Sequence, residues 1–153
     1  MSKKLDEDVK LRRLIRRTIE SKKNYLDKEH RANYRLIISQ FLEKFTLCEA
    51  GTKRALAAYY KSEQQTKDVT DITMDISDIK RALTFAGFDT ETLQIEKMFR
   101  KGYPRGSISV RDLRNGIIHD LRAEDIDELV DRWDDIQEIM DNYLNILQKE
   151  PLN

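Results

Sequence analysis

The stretch VRDLRNGIIHDLR, residues 110–122, places an arginine, an asparagine and a histidine within six residues: Arg114, Asn115 and His119. These side chains suit chemistry on a phosphate. A histidine, with an ordinary pKa of about 6.5, takes up and releases protons near neutral pH and so serves as a general acid or base. An arginine stays charged, and its planar fork pairs with phosphate oxygens. Asn115 stands four residues before His119, which puts both on one helix face.

A helix must hold these groups. Ser109, with Asp112 three residues on, forms a capping-box pattern and predicts a start near Val110. With each residue turning about 100° around the axis, Leu113, Ile117 and Leu121 fall close to Val110 and form a narrow stripe for the core. His119 then points about 180° away, flanked by Asp112 and Gly116, while Arg114 sits about 40° from the stripe. Gly116 allows another backbone to come close. That arrangement suits a helix facing its own symmetry mate, with Arg114 and His119 lining a cleft shared by two copies. Arg111 and Arg122 fall near the same side and are expected to steer RNA or to be solvated charges.

The run Arg114-Asn115-Gly116-Ile117-Ile118-His119 matches R-N-x-x-x-H. It resembles the signature of the HEPN superfamily, in which an arginine, often followed by a polar residue, precedes a histidine by four to six positions. The resemblance covers these six residues; the rest of the chain is similar in class alone. It implies a dimeric helical protein that cuts RNA without a metal or other cofactor. Arg114 and His119 would be the catalytic pair and Asn115 their support. His119 would take the ribose 2′-OH proton and Arg114 would balance charge on the phosphate, leaving a 2′,3′-cyclic phosphate and a 5′-hydroxyl. DNA, lacking the 2′-OH, would not react. The resemblance also implies a toxin or phage-defence role, with an antitoxin or regulatory protein as a further partner. Where one toxin branch carries a tyrosine two residues after the histidine, this chain has Leu121, so modification at that position is not expected.

The remaining sequence speaks for an all-helical domain. With only 5 Gly and 2 Pro in 153 residues there is too little punctuation for a turn-rich sheet protein. The expected architecture is a single domain over 1–153, an antiparallel bundle of five or six helices pairing as a two-fold dimer. Helices are expected over about 5–27, 28–47 (ending near Gly51), 53–65, 77–86 (ending at Gly87) and from Asp89 or Thr90 to Arg100. Loops are expected over 61–75 and around Gly102, Pro104 and Gly106. After the motif helix a bend near 119–123 should lead into a last helix over about 124–148. Its stripe from Ile126 through Trp133 to Leu147 reads as core, or as a dimer seam.

The 28 basic and 28 acidic side chains cancel, which argues against a protein that coats nucleic acid through bulk charge. The balance hides an asymmetry. Residues 1–35 hold 12 Lys/Arg against 6 Asp/Glu, and residues 120–141 hold 2 against 10. Two helices of opposite charge, packed side by side, are the simplest reading. Arg12/Arg16 and Arg13/Arg17 form a basic face, a solvated surface or one that touches phosphate; Arg12 and Arg16 are the RNA-binding candidates on it. Asp68, Asp71, Asp75 and Asp78 lack the alternating ligands and central Gly of a calcium loop, and no metal site is expected. His30 reads as a surface residue. Cys48, the single cysteine, excludes an internal disulfide and Cys-rich zinc motifs. MSKKLDEDVK offers no apolar stretch for a signal peptide, and no later run approaches membrane-spanning length, so the expected place is the cytoplasm. Two rivals to a ribonuclease stand: a non-catalytic HEPN-like module that binds nucleotide, RNA or a protein partner, and a helical adaptor.

Overall fold

A computed structural model describes residues 3–27, 33–65, 75–100 and 108–149. Among them there are seven helices and no strand: α1 (Lys3–Asp27), α2 (Tyr34–Ser62), α3 (Ile76–Phe85), α4 (Ile95–Phe99), α5 (Val110–Asp120), α6 (Ala123–Asp131) and α7 (Trp133–Gln148). The all-helical expectation holds, with more helices than the five or six expected. His30, Asp68, Asp71 and the Gly102–Pro104–Gly106 loop lie outside the described residues.

The chain divides into two units, Met1–Ile37 and Ile38–Asn153. In the first, α1 follows its expected course. The Thr18 hydroxyl donates to the Leu14 carbonyl at 2.9 Å, Arg35 pairs with Asp27, and the Tyr25 and Tyr34 rings lie 6.5 Å apart. The apolar residues Val9, Leu11, Leu14, Ile15 and Ile19 are all exposed.

In the second unit the core begins on α2, which runs unbroken through Gly51 instead of ending there. Phe41, Phe45, Cys48, Thr52, Leu56 and Tyr60 recur every three or four residues and form one buried face. Gly51 serves packing rather than termination: a Cβ there would meet Leu147 Cδ1 of α7 at 3.2 Å. Ile136, Ile139, Met140 and Tyr143 of α7 are buried as well. The Tyr143 hydroxyl is hydrogen-bonded to Thr52, and Lys44 pairs with Asp141 at 2.9 Å. Phe99 of α4 fills the centre, its ring 5.9 Å from Phe45 and 5.7 Å from Tyr143. Burial pushes the Cys48 thiol up to about 12, so it acts as a small core residue and not as a nucleophile.

Around this core the local signals mostly hold. Asp75 caps α3 by accepting the Asp78 N–H at 3.2 Å, and Gly87 follows the helix at φ +91° as expected. Two boundaries differ. Helix α4 covers only Ile95–Phe99, because Gln94 takes a left-handed conformation at φ +52° and turns fill the residues before it. The long last helix breaks at Arg132 into α6 and α7, each with its own buried face. No helix among the described residues is long and apolar enough to cross a membrane.

Candidate functional site

Helix α5 starts where its cap residue requires. The buried Ser109 is extended (φ −69°, ψ 163°), and its hydroxyl accepts the Asp112 N–H at 3.2 Å. Val110, Leu113 and Ile117 are buried, and His119 is exposed on the opposite side. Arg132, at the α6–α7 break, donates to the Ile108 carbonyl at 3.0 Å and so holds the entry to α5. The core stripe ends sooner than expected. Leu121 turns left-handed at φ +46°, its N–H bonds back to the Ile117 carbonyl at 3.0 Å, and its side chain is 37% exposed instead of buried.

Asn115 and His119 share one wall of an open cavity of about 510 Å³. Asp112, Gly116 and Asp120 continue that wall, Arg122 and Asp125 come from the turn into α6, and Ile108 closes it. Arg114 is not among these residues. Its guanidinium lies 5.5 Å from the centre of the Phe45 ring on α2, with NH2 4.0 Å from Glu49 Oε1. Among the described residues one hydrogen bond ties it to the cavity: Arg114 NH1 donates to Asn115 Oδ1 at 3.0 Å. A single copy therefore brings Asn115 and His119 together and sets Arg114 behind Asn115. The reason is the 40° position of Arg114 on the wheel, which gives it to the seam with α2. Arg111 is half-buried on α5, and Arg12 and Arg16 are exposed on α1.

Gly116 and Asp125 complete the geometry. A Cβ on Gly116 would lie 1.7 Å from Asp125 Oδ2, so the missing side chain lets the carboxylate of α6 sit against α5. Within one copy the space left by the missing side chain is taken by the Asp125 carboxylate. Only 8% of Asp125 is exposed, and Arg122 Nε stands 3.6 Å from its Oδ2. Burial raises the Asp125 carboxyl above the ordinary carboxylate value, with Arg122 opposing. The sequence signal for this contact was a glycine on the polar face of α5 together with an acidic residue just past the turn. The acidic run after Leu121 reads first as helix-end electrostatics, which obscures it.

A raised carboxyl contributes stability in acid, and that contribution is lost as pH climbs through its folded-state value. Asp125→Asn keeps the shape and removes the charge. Its melting temperature is expected to match the parent's below about pH 4 and to exceed it increasingly towards neutral pH. A variant less stable than the parent at neutral pH would mean that the Arg122 attraction outweighs burial.

The groups in the cavity favour proton transfer and hydrogen bonding. No cluster of metal-ligating side chains occurs among the described residues. Compared with models of known families, with curated proteins and with solved structures, the chain matches none.

Proposed function

We propose that the protein is a metal-independent endoribonuclease of the HEPN kind, acting as a toxin or phage-defence effector. His119 abstracts the 2′-OH proton, Asn115 holds the phosphate or orients the imidazole, and Arg114 supplies positive charge behind Asn115. The supporting observation is the pairing of an exposed His119 with Asn115 on one cavity wall, with Arg114 bonded to that asparagine at 3.0 Å. In this reading the helices pack as an antiparallel bundle, and two copies meet across α5 about a two-fold axis. Ile118, 47% exposed, and Leu121 flank His119 and suit such a contact. Arg111 and Arg122 guide RNA into the cleft, and an antitoxin or other regulator would act by covering it.

The test is incubation of the purified protein with RNA in EDTA. Cleavage is expected to leave a 2′,3′-cyclic phosphate and a 5′-hydroxyl, and a 2′-deoxy nucleotide at the cut position is expected to block it. A second reading is a non-catalytic module for nucleotide, RNA or protein, and within it the cavity's charge favours a protein partner. Asp112, Asp120 and Asp125 outnumber Arg122, which disfavours a bound phosphate. Binding of RNA without cleavage would select it.

A further inference from the structure

Helix α1 carries two features that its own unit leaves unused. Leu11, Ile15 and Ile19, spaced by four, form a stripe 51–61% exposed. Residues 9–23 hold seven Lys/Arg against one Asp/Glu. Arg12 and Arg16 border the stripe, and among the described residues no ion pair engages them. RNA would satisfy the charge but leave the stripe in water. A complementary surface needs acids beside apolar groups.

The chain itself offers one. On α7, Asp134, Glu138 and Asp141 fall on one outward face and are exposed. Glu124 and Asp131 of α6 add to the negative charge of that end of the unit. Half-buried Trp133 and Leu144 edge the α7 face, within reach of a neighbouring helix. Residues 120–141 carry a net charge of −8 (2 basic, 10 acidic), against +6 for residues 9–23 (7 basic, 1 acidic).

We infer that α1 of one copy docks along the acidic α6–α7 face of a second copy. Leu11, Ile15 and Ile19 lie against Trp133 and Leu144, and Arg12 and Arg16 reach Asp134 and Glu138. This docking is independent of the ribonuclease reading.

Zero-length carbodiimide cross-linking of a mixture of ¹⁴N- and ¹⁵N-labelled full-length protein tests this. The expected products join Lys10, Lys22 or Lys23 of one label to acidic residues of 124–141 of the other. They should fade as salt rises past about 0.1 M, where the screening length is about 10 Å. Arg12→Glu/Arg16→Glu is expected to abolish them, and adding Asp134→Lys/Glu138→Lys is expected to restore them. Absence of mixed-label links overturns the inference, as do links confined to one label or links that survive Arg12→Glu/Arg16→Glu. Protection of residues 9–23 by RNA or anionic vesicles, without mixed-label links, assigns α1 to those partners and overturns it as well.

Discussion

Replacing His119 with alanine is expected to lower RNA cleavage in EDTA by about 100-fold or more, the usual contribution of a general acid–base group. The effect should fall on chemistry and not on folding. His119 is exposed on the face of α5 opposite Val110, Leu113 and Ile117, so no core contact is lost. Thermal stability should therefore stay within about 0.5 kcal/mol of the parent. RNA binding, measured by fluorescence anisotropy at fixed salt, should change little. Asn115→Ala should give a smaller loss, because it removes the acceptor that holds Arg114 NH1 while the charge remains. Equal cleavage by His119→Ala and the parent would remove the imidazole from the mechanism and return the cavity to a binding role.

The largest effect on stability is expected at Phe99. Its ring is 1% exposed and stands between Phe45 of α2 and Tyr143 of α7, while α4 also touches α3 and α5. Phe99→Ala would leave a cavity shared by three elements, at a cost of about 3–5 kcal/mol. Against a typical total of about 5–15 kcal/mol, that is enough to unfold a marginal domain. Phe99→Leu refills most of the space and is expected to cost much less. Urea unfolding followed by Trp133 emission reports on this unit, since that residue is the only tryptophan. A loss below about 1 kcal/mol for the alanine variant would show that the core closes over the gap. As α4 packs on α5, the same variant should also loosen the His119 wall and weaken any cleavage.

Much of the site was legible in the sequence because its signals are local. Ser109 followed by Asp112 announces the start of α5 through a hydrogen bond spanning three residues. The spacing of Val110, Leu113 and Ile117 turns His119 outward by helix geometry alone. Gly87 ends α3 because its positive φ favours a residue without Cβ. The same local rules misread Gly51, whose value lies in the Leu147 side chain packed against it from 96 positions away. They also overlooked the break at Arg132, whose guanidinium donates to the Ile108 carbonyl from 24 positions away.

By itself the sequence determined an all-helical chain, a capped α5 with an apolar stripe on one side and Asn115 and His119 on the other, and a strong separation of charge along its length. Only the tertiary structure decided that Gly116 receives Asp125, that Arg114 rests on Phe45 and reaches the cavity through Asn115, and that Arg122 shares the wall with His119. The division is physical. Hydrogen-bond capping and helical periodicity act over a few residues, whereas close approach and burial depend on which distant segment arrives, and that is settled by packing the whole unit.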